Sequence, residues 1–243
     1  MRSASAQIVN DGKVQIQPAL FERRQLATAD AGQRLVTLAT VGPALVLAIL
    51  EIFHPHPHDL LQVDVPRWLT VHYAQLVLFP LVAWSQVLLI RQQEGLVPSL
   101  SRSAMFVFGV AYVAFDTAAG IATGVLVKSA SASVSPEAWR SSILALWNHA
   151  IVGGSSEAAP ALAVIGTTAW LLGTLFAAIV LRRAGHSWRP TVFLLMSALG
   201  LLVFRTHAWP GGPLTFGSFA IAAALVDREN RHVRRGATQR YAN

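Results

Sequence analysis

Six runs of this chain carry almost no charge and reach, or nearly reach, the length that crosses a hydrocarbon slab. A bilayer core of roughly 30 Å takes about 20 apolar residues per helix. Inside it every backbone amide must be satisfied within the protein, which leaves helices or closed barrels as the spanning structures. The runs cover residues 35–53, 68–90, 104–127, 160–181, 191–204 and 213–226. The last two are short and need flanking side chains that reach to the interface, or local thinning. With 53% hydrophobic and 13% charged residues, the chain is too apolar for a soluble domain of this length. The expected class is therefore all-α: a polytopic integral membrane protein built as a six-helix transmembrane bundle.

Basic residues orient that bundle. With the N-terminus inside, the internal segments hold Arg23, Arg24, Arg34, Arg91, Arg102, Arg182, Arg183, Arg189 and the arginines of the C-terminal tail. The external segments keep only Arg67, Lys128, Arg140 and Arg205. Positive charge inside predicts both termini on the cytoplasmic face of a plasma or inner membrane. The expected organisation is a cytoplasmic N-terminal segment 1–34, a six-span domain 35–227 and a basic cytoplasmic tail 228–243. External loops fall at about 54–67, 128–159 and 205–212. The N-terminal segment has no apolar core or cleavage site of a signal peptide and reads as polar and partly disordered, with Leu20 and Phe21 touching the interface. The net charge of +7 marks topology and anionic lipid rather than nucleic acid, because no aromatic residues interleave the basic ones.

The largest external loop contains a short amphipathic helix. Ser135-Pro136-Glu137 reads as a cap, a proline at the first helical position and an acid in the first turn. Trp139, Ile143, Leu146 and Ala150 share one face at helical spacing. Gly153 is the expected stop, and Gly153-Gly154-Ser155-Ser156 the expected hinge. If that helix folds over the bundle, Asn148 and His149 face its mouth.

Chemistry concentrates on the external side, where six of the eight histidines fall: His54, His56, His58, His72, His149 and His207. Neutral imidazole is the commonest transition-metal ligand and also moves protons near neutral pH. Three of them alternate with prolines in His54-Pro55-His56-Pro57-His58-Asp59. An extended proline-rich path turns side chains by about a third of a turn per residue, so at most two of the three point at one ion. Glu51 precedes the run, and Asp59 and Asp64 close it. Asp116 lies mid-span in the third run, where a lone carboxylate costs roughly 3 kcal/mol or more and marks function. Counting helical rise places His72 about 5–8 Å deep and Asp116 about 15 Å deep from the same side, so direct contact is not expected and a water or Tyr112 could connect them. Gln75, one turn below His72, extends the polar line, and Gly120 with Gly124 permits close helix packing.

These residues point to a histidine and carboxylate site at the external mouth. The metal ligands expected are His54, His56, His58, His72 and His207, with Asp116 or Glu51 as acid/base or supporting group. Asp59, Tyr112 and His149 are further candidates. Zn or Cu fits the donor set best, with Fe or haem behind them. The function expected is a metal-dependent membrane enzyme or metal-handling protein. A proton- or cation-coupled transporter using Asp116 and His72, or a non-catalytic membrane subunit, stands beside it. The expected partners are the lipid bilayer and either a second copy or a partner membrane subunit. Cysteine chemistry is excluded because the chain contains none.

Overall fold

The computed structural model describes the backbone of residues 18–242 and the side chains of residues 31–233. The expectations for residues 1–17, for the Leu20 and Phe21 side chains and for Arg234, Arg235 and Arg240 lie outside these. The chain divides into two compact units, residues 1–36 and 37–243. The first carries the start of helix α1 (Pro18–Ile52). The second holds the bundle: the rest of α1, then α2 (Val65–Leu89), α3 (Leu96–Phe115), α4 (Thr123–Ser131), α5 (Arg140–Trp147), α6 (Ala161–Arg183), α7 (Trp188–Phe204) and α8 (Gly211–Ala242). No strand forms among the described residues.

Four helical stretches are long and apolar enough to cross a membrane: Ala31–Ile52, Val65–Leu89, Leu96–Ser131 and Ala161–Arg183. The apolar helix Trp188–Phe204 is shorter, with 17 residues that reach about 25 Å. Where the sequence places a separate tail, the helix begun at Gly211 continues without a break through the arginine-rich end to Ala242.

Local chemistry sets the helix ends. Asp64 caps α2 by accepting from the Arg67 amide at 3.2 Å, and Pro66 occupies the first turn, where no amide partner is needed. Arg205, at φ 54°, ends α7 in the left-handed conformation. Between α3 and α4 the helix does not stop but widens into a π-helical stretch, Asp116–Ala122. The composite rod of 36 residues is about 54 Å long, far more than a hydrocarbon core, so one end stands clear of it.

Inside the bundle α6 packs between α3 and α7, α2 lies against α3, and α7 pairs with α8. Phe79, Phe108, Tyr112, Trp170, Phe216 and Phe219 fill the middle, and the Trp170 indole donates to the Ser197 carbonyl at 3.0 Å. Below them Ser101 donates to the Gly173 carbonyl at 2.8 Å and Thr174 donates to Gln86 at 3.0 Å, tying α2, α3 and α6 through small and polar residues. A second, smaller core forms at the other end from Leu60, Trp68, Val127, Ala130 and Ile143. There α5 packs on α4 through Ile143, with Trp139 and Trp147 beside it. Ala150 is exposed, the Ser135 side chain makes no cap, and the helix ends at Trp147, before Gly153. The two glycines of the expected hinge are closely packed. A Cβ on Gly154 would lie 2.1 Å from the Trp147 ring and one on Gly153 2.4 Å from the Trp147 carbonyl, so both make room for the tryptophan.

Candidate metal centre

Three side chains carried by different segments meet at the His54 end of the bundle. Glu51 sits in the last turn of α1, wholly buried, and its Oε1 accepts from Gln75 Nε2 at 2.7 Å. Its Oε2 has no partner. The chain turns immediately after α1 and the prolines then hold it extended, which brings the His54 ring back over Glu51. His54 Nδ1 lies 2.9 Å from the Pro55 carbonyl. A carbonyl only accepts, so Nδ1 carries the hydrogen and the buried Nε2, which has no partner, presents its lone pair. His207 comes from the connection between α7 and α8, and its Nε2 is likewise buried without a partner. One ligand atom each from Glu51, His54 and His207 lies within 4.8 Å of the others. Ligand atoms around a tetrahedral ion at about 2.0–2.2 Å stand roughly 3–4 Å apart, so side-chain shifts of about an ångström complete the set.

Gly212 makes this convergence possible. A Cβ there would fall 1.6 Å from the His207 carbonyl oxygen and 2.7 Å from Glu51 Cγ. Both imidazoles are kept neutral, the form that ligates metals. Burial, then the neighbouring His207 and His72, hold His54 well below the ordinary histidine value. Burial, then His72 and His56, push His207 down to about 3.

A buried pair adjoins the three. His72 Nδ1 and Asp116 Oδ1 are 2.6 Å apart, and His72 Nε2 has no partner. The His72 ring centroid lies 5.0 Å from that of His54 and 4.6 Å from that of Trp68, whose indole donates to the Gly120 carbonyl at 2.7 Å. This contact corrects the depths counted from sequence, which keep the two residues apart. The helical rod carrying Asp116 runs on to Ser131, so counting from a span that ends at residue 127 does not give its depth. The π-helical stretch begins at Asp116, and Gly120 yields to the ring, since a Cβ there would lie 2.3 Å from His72 Nδ1. Neither water nor Tyr112 is the link; the Tyr112 hydroxyl pairs with Thr167 at 3.1 Å.

The other candidates lie apart from this group. His56 and His58 are exposed, as the three-residue turn of a proline-held extended path allows, although the His56 ring is 5.8 Å from that of His54. Asp59 caps the short turn Leu60–Gln62 and takes both terminal nitrogens of Arg140 at 3.0 Å, which holds its carboxyl below the usual range. His149 is exposed and accepts from the Ile151 amide at 3.2 Å. Gly212 and the aromatic frame of Phe79 and Phe115, whose rings lie 6.0 and 5.8 Å from His207, escape sequence reasoning. The Gly211-Gly212 pair just after His207 is the one signal that could have exposed the first.

A cavity of about 860 Å³ opens beside two of the three, His54 and His207, lined also by Tyr112 and Trp147 among others. Comparison with protein-family models, curated proteins and solved structures returns no match for this chain.

Proposed function

We propose that the chain is an integral membrane protein that binds one transition-metal ion through Glu51, His54 and His207, and that it works as a metal-dependent membrane enzyme or metal-handling protein. The observation that carries this reading is the approach of one ligand atom each from Glu51, His54 and His207 to within 4.8 Å of one another, in side chains that also hold three buried atoms without partners, Glu51 Oε2, His54 Nε2 and His207 Nε2. Buried polar atoms without partners are uncommon, and several in one place point to a missing ligand. Two imidazoles and a carboxylate suit Zn or Cu(II), with Fe behind them. Three protein ligands leave a tetrahedral ion open toward the cavity, the layout of catalytic rather than structural zinc sites. His72 stands ready as a fourth ligand or proton acceptor, its orientation held by Asp116 in the manner of a carboxylate behind a ligating histidine.

In this reading the chain spans the bilayer six times, with both termini cytoplasmic and the metal centre at the external mouth. The arginine distribution supports that orientation. α7 and the apolar start of α8 supply the two short spans, which lean on their neighbours or on a second copy. A proton or cation path through His72 and Asp116 is the second reading, favoured by their buried pairing. The aromatic plug of Phe79, Phe108, Trp170 and Phe216 directly beneath weighs against it, because a path needs polar groups or water to continue.

The test is elemental analysis of detergent-purified protein after zinc or copper loading and dialysis. One metal per chain is expected for the wild type, with loss in His54→Ala and in His207→Ala. A wild type that retains no metal ends the reading.

A further inference from the structure

The cavity beside His54 and His207 does not open only upward. Its lining descends α6 from Pro160 through Val164 to Thr168, and it includes Leu202 and Phe204 of α7. Thr168 is seven residues into α6, about 10 Å along the helix from its first residue. Val164 is 50% exposed, Leu202 49% and Phe204 41%, and Thr168 is exposed as well. Val164 and Thr168 are one turn apart on one face of a helix long and apolar enough to cross a membrane. The cavity is therefore a cleft between α6 and α7 whose outer wall is the surface these helices turn toward lipid. Its inner end holds polar atoms that seek a ligand, and its flanks are apolar.

We infer that the substrate or cargo of this site is a lipid-phase amphiphile, which enters sideways between α6 and α7 and brings an oxygen-bearing head to the centre at Glu51, His54 and His207. This rests on the metal-centre reading for the head and on the cleft alone for the tail. A solute arriving from water would need no apolar entrance at the depth of Thr168. The volume of about 860 Å³ lies at the upper end of small-molecule sites, ample for a head and a medium chain. Trp147 and Trp209, both on the lining, suit the boundary where such a molecule passes from headgroup level inward.

The test uses the full chain in nanodiscs and a twelve-carbon hydroxamic acid with a photoactivatable diazirine near its tail. Labelled residues are mapped by mass spectrometry, and zinc is measured in the same samples. Labels are expected on residues 164–168 and 202–204, falling at least 5-fold in Val164→Trp and in Leu202→Trp. Both substitutions lie on exposed positions, and unchanged zinc content and unfolding midpoint show that the fold survives them. Labels scattered over the lipid-facing helices, or undiminished by both tryptophans, overturn the cleft whatever the zinc content. Labels confined to the cleft in protein without zinc support the cleft and remove the metal centre.

Discussion

Replacing His207 with phenylalanine separates a ligand from a ring that merely packs. His207 is framed by His54 at 5.0 Å, Phe115 at 5.8 Å, Phe79 at 6.0 Å and Tyr112 at 6.1 Å between ring centroids, surroundings that accept another aromatic ring. The substitution removes a buried, unpartnered Nε2, and leaving such an atom unsatisfied costs about 1–3 kcal/mol. Without metal the variant is therefore more stable than the wild type, by about 2 kcal/mol. At roughly 2–4 °C per kcal/mol for a chain of this size, the midpoint rises by about 4–8 °C. With zinc at about 100 times its dissociation constant the wild type gains about 2.7 kcal/mol, or roughly 5–11 °C, and the variant gains nothing. The predicted signature is a reversal of order between chelator and zinc, read as thermal unfolding in detergent. His207→Leu repeats the comparison without the added ring volume. A wild type whose midpoint ignores zinc, or a variant that loses stability in chelator, refutes the reasoning.

Asp116→Leu strands His72 in the buried pair and is expected to cost about 3–5 kcal/mol, whereas Asp116→Leu combined with His72→Phe recovers most of it; additive losses would show that the two do not act together. Gly212→Ala forces a methyl against the His207 carbonyl, so metal retention should fall at least 10-fold and stability by about 1–3 kcal/mol; unaltered metal content would contradict the close approach. At the opposite end of the bundle burial raises the Glu229 carboxyl, but hydrogen bonds from Ser187 and His186 outweigh it and hold the group below its ordinary value. Its stabilisation is then present above a pH of about 4.3 and lost as pH falls through the lower folded value. Unfolding midpoints measured from pH 7 to pH 3 should drop less in Glu229→Gln than in the wild type, and parallel curves would disprove the assignment.

The apolar runs announce the helices because a hydrocarbon solvent tolerates little else, and four of them stand as such. The histidine and acid residues that meet are also legible. Glu51 and His54 are three apart at a helix end, and His207 falls in a connection that a six-span count returns to the same side. The separation of His54 from His56 and His58 follows from proline geometry alone. Depth was not legible. Residue counting assumes that each helix begins and ends at the slab, whereas the rod carrying Asp116 overshoots it and widens at Asp116 itself. Nor was Gly212, whose importance lies in what two other segments place beside it. Tertiary neighbours decide both features, and no local pattern encodes them.

The widened stretch between Phe115 and Thr123 sets the phase of one half-rod against the other. A regular helix advances about 100° per residue, whereas the wider turns of this stretch advance less, so its seven residues sweep close to the angle of six regular ones. Deleting one residue between positions 116 and 122 would therefore let uniform winding return with Val127 and Ala130 still turned toward Leu60 and Ile143, and with Phe108 and Met105 in their seats. The same lost codon placed outside the stretch would swing the cap over the histidines away from the foundation of the bundle.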